Sequence, residues 1–412
     1  MPPIAPAPVD LAIPGSKSIT NRALVLAALA QGTVTLEGAL WSEDTEVMVA
    51  CLKRLGFVVQ VAAEVEEPAN RRIQIQGRGG LIPRAGTLEQ PLELFVGNAG
   101  TVARFLSALV CLGNGVYRLS GIPRMHERPQ AALFAALRQL GYRVEATGER
   151  LPAVIYGTGP QPGRTEVSVD ESSQFASALL LGAPVGGWEI SVTGADSEEL
   201  PYVEMTRKLI AGFPRSEGTM AVEPDASSAS YFWAAGALLG HSVQIRHWPA
   251  SGWQVDAEFP KFLPLPATIS RERDLGDSIM TAAILAPFAA HPVRLTELGR
   301  LRVQECERVT ALRTELSRCG ARVLEIGDSL TVEPSSLHGA TIHTYNDHRM
   351  AMCFATLGLK IPGVRIENPS CVKKTFPNFF QKLTAPAPEG WGTQVRDVAS
   401  GRILTGAELL PA

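Results

Sequence analysis

The chain has 412 residues, 45% of them hydrophobic, with 38 glycines and a formal net charge of -3. That is enough apolar material for two or three domains with their own cores. The slightly acidic balance offers no general attraction to nucleic acid or to an anionic membrane, so any anion site must be built locally. The opening MPPIAPAPVD lacks a basic region followed by an apolar run, and stretches such as ALVLAALA and TAAILAPFAA are too short to span a bilayer. A soluble, cytoplasmic protein that engages neither nucleic acid nor membrane is expected. Cys51, Cys111, Cys306, Cys319, Cys353 and Cys371 are scattered, with no CxxC pair and no clustering with His at metal spacing. Reduced thiols are expected from that pattern, and nothing in the sequence points to a cofactor or a metal.

In chain order, the first helix start is PGSKSITNR, residues 14–22. A nucleotide P-loop requires Lys directly after the second Gly of GxxxxGK[ST]. Here Ser16 intervenes and position 10 is Asp10, which excludes that motif. What remains is a Gly-Ser turn into a helix with Lys17 and Ser18 in its first turn and Arg22 one turn after Ser18. Free N–H groups and the positive helix end favour an anion there; a capped helix with two solvated cations is the other reading. Next, GNAGTVARFLSALV places Gly97 and Gly100 where backbone can approach a ligand, with Asn98 able to cap the helix and offer its amide. GIPRMHERP follows, a Pro-punctuated loop in which Arg124 and Arg128 flank His126.

ESSQFASALL brings Ser172, Ser173 and Gln174 to a third helix start, donors suited to a polyhydroxylated or phosphorylated ligand. In RDLGDSIMTAAIL, Asp277 precedes an apolar helix, as a cap or as a general base. RLRVQECERVTALRTEL sets Glu305 and Arg308 three apart, which predicts a shared helix face. TYNDHRMAMCF opens another helix with Asp347, His348 and Arg349, and CVKKTFPNFF holds Lys374 before an aromatic run.

The recurrent pattern is a Ser, Asn or Asp at a helix N-cap position, followed by an Ala- and Leu-rich helix: Ser16, Asn98, Ser172, Asp225, Asp277 and Asp347. Second helices end at Gly56, Gly141 and Gly320 before β-branched residues, which predicts C-terminal glycine caps leading into strands. Together these predict an α/β protein of duplicated units. Several helix N-termini each carry a cation or a small polar group although the chain is net acidic. The expectation is a cleft where helix ends converge on a ligand with more than one negative charge.

Taken as an ordered set, PGSKSITNRA, GNAGT, PRMHERP, SSQF, DASSASYF, GDSIMT, RVQECER, TYNDHRMAM and KKTFPNFF resemble the 5-enolpyruvylshikimate-3-phosphate synthase family of enolpyruvyl transferases, over residues 12 to 385. The resemblance implies a two-domain α/β fold of six βαβαββ repeats, three per domain, around an interdomain cleft. Residues 15–223 would form the N-terminal domain, and residues 1–14 with 224–412 the C-terminal one. It implies a monomer acting on small molecules without a cofactor or metal. The implied reaction moves the enolpyruvyl group of phosphoenolpyruvate to the 5-hydroxyl of shikimate 3-phosphate, releasing phosphate through a tetrahedral intermediate. Carried over residue by residue, Lys17, Asn98, Gly100, Arg124, Gln174, Arg308, Arg349 and Lys374 match the phosphoenolpyruvate site. Ser18, Arg22, Ser172, Ser173, Gln174, Tyr202 and Asp277 match acceptor contacts. Lys17, Asp277 and Glu305 match the catalytic groups, with Glu305 the proton-transfer carboxylate.

This chain departs from the family on the acceptor side. The family's RVKE is RVQE here, so a lysine becomes Gln304; the Asn four residues earlier is Arg300; and a serine before the Pro-Tyr pair is Glu199. A donor and a charge are lost and an anion gained where a 3-phosphate would bind, and like charge there is unfavourable. Either Arg300, one helical turn before Gln304, and Ser197 compensate, or the acceptor is an unphosphorylated shikimate-like carbocycle. Three further readings stay open: the sister transferase acting on UDP-N-acetylglucosamine, whose loop cysteine has no counterpart in PRMHERP; a silent binding protein; and an elimination on the shikimate ring.

Overall fold

The computed structural model describes residues 8–194, 200–248 and 251–411. The chain divides into two compact units, one of Gly15–Glu223 and one of Met1–Pro14 with Pro224–Ala412. Among the described residues six sheets occur, and each contains one parallel strand pair. One strand of every pair directly follows a helix; in five pairs that helix lies in the crossover that parallel strands require, whereas Gln31–Leu40 precedes its parallel partner, Gly218–Ala221, in the chain. In the first unit these helices are Lys17–Leu29 before Gln31–Leu40, Gly100–Leu109 before Asn114–Ser120, and Ser173–Gly186 before Trp188–Thr193. In the second they are Ala226–Leu239 before Val243–Ile245, Ile279–Leu285 before Val293–Thr296, and His348–Gly358 before Arg365–Ile366.

Two stretches show a complete βαβαββ order. One runs Leu92–Phe95, Gly100–Leu109, Asn114–Ser120, Ala131–Gln139, Arg143–Ala146, Ala153–Thr158; its last two strands pair antiparallel and the final one returns against Asn114–Ser120. The other runs Thr268–Ser270, Ile279–Leu285, Val293–Thr296, Arg308–Arg318, Arg322–Ile326, Ser329–Glu333, with the same pairing. Gly141 and Gly320, just before the first hairpin strand of these two stretches, and Gly56, at the same place before Val58–Ala63, have φ of 91°, 94° and 91°. A side chain there would be strained, which is why the helix stops at glycine.

The predicted helix starts hold at Ser16, Ser172, Asp225 and Asp347, each the N-cap residue of its helix. Two are displaced by one residue. The cap before Gly100–Leu109 is Ala99; the left-handed turn at Gly97 (φ 55°) sets the chain past Asn98, whose carbonyl accepts from Arg128 Nη1 at 3.3 Å. The cap before Ile279–Leu285 is Ser278, because the Asp277 carboxylate turns away to arginines. Glu305 is not on a helix face: Glu307 caps Arg308–Arg318 by accepting from Thr310 N, so Glu305 sits in the preceding bend. Arg300 lies in a 3-10 turn, Gly299–Val303, that ends at Gln304, so the spacing between those two is not that of an α-helix. PRMHE, expected as loop, forms the short helix Pro123–Glu127, with Pro at its first position.

In the second unit the core closes on aromatic packing: Phe232, Phe376 and Phe379 lie with ring centroids 5.5–6.0 Å apart, all fully buried. Each such ring stabilises by about 1.5–3 kcal/mol relative to exposure. That packing fixes the segments on which Tyr231 and Lys374 stand. No described helix is long and apolar enough to cross a membrane.

Candidate active site

In the second unit a charged network forms at the ends of three helices. Arg308, 1% exposed, opens Arg308–Arg318. Its Nε donates to Asp347 Oδ2 at 2.7 Å and its Nη2 to Asp347 Oδ1 at 3.2 Å and to Glu305 Oε2 at 2.9 Å. Nη1 donates to Gln304 Oε1 and lies 3.8 Å from Asp277 Oδ1. Burial opposes a charge at Arg308, but Asp347, Glu305 and Asp277 outweigh it and hold the guanidinium protonated more firmly than usual. Asp347 is fully buried and serves two purposes, pairing with Arg308 and capping His348–Gly358 through Arg349 N at 2.8 Å.

Asp277 faces three arginines: Arg349 Nη2 at 3.0 Å, Arg271 Nη2 at 3.3 Å and Arg308. Burial alone would push its carboxyl up, and Glu305 adds to that. Arg349, Arg308 and Arg271 prevail and hold it well below the ordinary carboxylate range. Asp277 is therefore an ionised acceptor at neutral pH, 16% exposed at its side chain. Arg349 also approaches Tyr231 Oη at 3.4 Å, and burial pushes that phenol up in spite of the arginine. Glu305 bridges two cations, Arg308 and the Lys374 ammonium at 3.3 Å.

The first unit carries a second cluster. Lys17 pairs with Asp44 at 3.3 Å. Arg22 is interior: Nε donates to Thr206 Oγ1 at 2.7 Å, Nη2 to Ser177 Oγ at 3.0 Å and Nη1 back to the Ser18 carbonyl at 2.9 Å, with Phe105 beneath it at 5.3 Å. At the N-terminus of Gly100–Leu109, a Cβ on Gly100 would meet Arg104 Nη1 and, at 2.7 Å, Arg128 Nη2. Glycine is therefore what lets two guanidiniums crowd the helix end, where free N–H groups already favour an anion. Arg104 also reaches Gln174 Oε1 at 3.4 Å and the Pro129 carbonyl at 2.8 Å, and lies over Phe175. Ser172 caps Ser173–Gly186 by accepting from Gln174 N at 3.2 Å, which spends one of the two serines on the helix.

Asp277, Glu305, Arg308, Arg349, Lys374 and Gln304 thus fall into one contact network in the second unit. Ser18 with Arg22, and Gly100 with Gln174 through Arg104, come together in the first. Arg124 is exposed and pairs with Glu127 at 2.5 Å. Tyr202 stands in the first turn of Leu200–Gly212, its carbonyl accepting from Thr206. His126 accepts from Gly121 N at 3.1 Å, a turn-holding role. Glu199 and Ser197 lie outside the described residues. Sequence reasoning missed Arg104, Arg271 and Asp44. The signal for Arg104 was a lone charge inside the apolar run of its helix; the others are joined to the site only by the fold.

Comparison with known proteins places these clusters in context. The family model described as EPSP synthase (3-phosphoshikimate 1-carboxyvinyltransferase) matches residues 3–273 and 268–383. The chain is 39% identical over 420 residues to a protein named 3-phosphoshikimate 1-carboxyvinyltransferase from Trichormus variabilis, spanning 91% of this chain and 96% of that one. It is 38% identical over 423 residues to one of the same name from Opitutus terrae, spanning 92% and 96%. Among solved structures, EPSP synthase from Acinetobacter baumannii superposes with a TM-score of 0.73 at 22% identity, over 92% of this chain and 96% of that one. The enolpyruvyl transferase NikO from Streptomyces tendae superposes with 0.65 at 16%, over 92% and 94%. At those identities the two structures speak to fold alone.

Proposed function

The chain belongs to the EPSP synthase (3-phosphoshikimate 1-carboxyvinyltransferase) family, and on that premise we propose that it moves the enolpyruvyl group of phosphoenolpyruvate to the 5-hydroxyl of shikimate 3-phosphate, releasing phosphate. Its fold is the two-domain α/β fold of the enolpyruvyl transferases. The observation that carries the activity is the pair of carboxylates with different surroundings: Asp277 ionised among three arginines, and Glu305 between one arginine and one lysine.

The chemistry needs both. The 5-oxygen bonds to C2 of phosphoenolpyruvate while C3 gains a proton, giving a tetrahedral ketal. The C2–O bond to phosphate then breaks, C3 returns a proton and the double bond re-forms. In this reading the Asp277 carboxylate holds the acceptor 5-hydroxyl and takes its proton as the oxygen bonds to C2, a role an ionised carboxylate fills without first losing a proton. Glu305 delivers and recovers the C3 proton, with Arg308 and Lys374 setting its position. Arg349, Arg308 and Lys374, with Lys17, Arg124, Gln174 and the Gly100 helix end, supply positive potential for phosphate and carboxylate oxygens, the electrostatic term that carries most such transfers. Ser18, Arg22, Ser172, Ser173 and Tyr202 remain the proposed acceptor contacts, together with Arg300 and Gln304, at which the sequence departs from the family. A cytoplasmic enzyme working as a monomer is part of the same proposal.

The test is phosphate release from purified protein given phosphoenolpyruvate with either shikimate 3-phosphate or shikimate. Turnover with the phosphorylated acceptor is expected. Turnover with shikimate alone would assign an unphosphorylated acceptor, and none with either would refute the transfer.

A further inference from the structure

Ser278 is the N-cap residue of Ile279–Leu285, yet its side chain makes no cap hydrogen bond. A serine at that position ordinarily accepts from the backbone of the first turn. Its hydroxyl instead donates to Asp256 Oδ1 at 2.6 Å, and its backbone N–H donates to the same oxygen at 3.0 Å. The other oxygen, Oδ2, accepts from Ser227 Oγ in the first turn of Ala226–Leu239. Asp256 itself is buried, on the 3-10 segment Val255–Phe262. Gly276 packs on it so closely that a Cβ there would stand 3.2 and 3.3 Å from the two carboxyl oxygens. One buried carboxyl therefore grips the residues on both sides of Asp277, Gly276 by contact and Ser278 by two bonds.

We propose that Asp256 is a positioning residue for the transfer: it locks the 276–278 segment and thereby aims the Asp277 carboxylate at Arg349. This rests on the function proposed above. The charged groups facing Asp256 are Asp277 on the segment it holds and Arg349 on His348–Gly358; burial first, then Asp277, push its carboxyl above the usual range, against Ser227, Ser278 and Arg349. A protonated Asp256 exchanges donor roles with Ser227 and still accepts from Ser278. The geometry thus needs the shape of a carboxyl and not its charge, and asparagine reproduces that shape.

Three variants of the full chain test this. Asp256→Ala is expected to lose kcat by about ten- to a hundredfold, the scale of a small misplacement of a reacting group, with KM values near wild type. The acid limb of its kcat–pH profile should move to higher pH, because a carboxylate released from Arg349 titrates nearer its ordinary value. Asp256→Asn should restore most of kcat and the wild-type limb. Ser278→Ala, which keeps the backbone bond, should fall between them. Independently of turnover, carboxyl-13C aspartate labelling, with Asp277→Asn to identify the resonance, should show Asp277 titrating higher in Asp256→Ala and unchanged in Asp256→Asn. An unshifted Asp277 in Asp256→Ala, or an Asn variant as impaired as Ala, overturns the proposal. An inactive wild type instead refutes the proposed reaction, and the titration then still decides the role of Asp256.

Discussion

Asp347 is the residue whose replacement separates the two jobs a buried carboxylate can hold. It pairs with Arg308 through two bonds, at 2.7 and 3.2 Å, and caps His348–Gly358 through Arg349 N at 2.8 Å. Asp347→Ala removes both. Loss of the cap costs about 1 kcal/mol. Stripping one partner from a buried ion pair costs about 3–5 kcal/mol, and the low end applies because Arg308 keeps Glu305 and Asp277. The sum is about 4 kcal/mol, or roughly 8–16 °C at about 2–4 °C per kcal/mol for a unit of this size. Asp347→Asn keeps an acceptor for the cap but loses the charge and the oxygen that accepts from Arg308 Nε, so it should fall about 1 kcal/mol short of that loss. Urea titration read by hydrogen exchange at the amides of His348–Gly358 reports on this unit without assuming that the whole chain unfolds at once. The reasoning fails if Asn is indistinguishable from wild type, since the charge then contributes nothing, or if Ala equals Asn, since the cap then contributes nothing.

Stability should also follow pH with opposite signs at two neighbouring carboxyls. Asp277 has its folded value depressed, so its contribution is fully present above the unfolded value of about 3.9 and is lost as pH falls below it; Asp277→Asn should flatten the acid loss of urea stability. Asp256 has its value raised, so its contribution is present below about 3.9 and declines as pH rises through its folded value; Asp256→Asn should remove that decline, and a variant still losing stability over that range would count against it. Gly100→Ala pushes a methyl against Arg104 and Arg128, and should raise KM for phosphoenolpyruvate about tenfold through a weakened charge-assisted contact, with the thermal midpoint nearly unmoved. Steady-state kinetics against phosphoenolpyruvate checks this. Glu305→Gln keeps an acceptor for Arg308 and Lys374 but carries no transferable acid, so kcat should drop about 10²–10⁴-fold with smaller change in KM; retained kcat would remove Glu305 from proton transfer.

Much of the architecture was legible because its signals are local. A Ser or Asp before an apolar run, and a Gly before β-branched residues, act within one turn of chain, so four of six helix starts and the three glycine stops could be read from neighbouring residues. Asn98 and Asp277 were misplaced by one residue because something beyond their own turn decided the outcome: the Gly97 backbone in one case, three distant arginines in the other. The same limit governs the site. Arg308 and Glu305 are near in sequence and their pairing was legible, although through a bend and not a helix face. Arg308 and Asp347 are 39 residues apart, and Ser278 reaches back 22 residues to Asp256, so those partners exist only in the folded chain.

That division has a consequence for how the second unit would handle an anion. Arg271, Arg308, Arg349 and Lys374 all already have carboxylate partners in Asp277, Glu305 and Asp347. An incoming phosphate or carboxylate therefore competes with internal acceptors and gains only the difference between the two sets of contacts. If the cluster binds substrate as proposed, the internal carboxylates would lower affinity but hold each guanidinium in one orientation before a ligand arrives, leaving little reorganisation for the reaction itself. Such a cluster trades tight ground-state binding for a fixed field. A bridging acid such as Glu305, tied to two of these cations, is then placed to respond when a ligand draws them away.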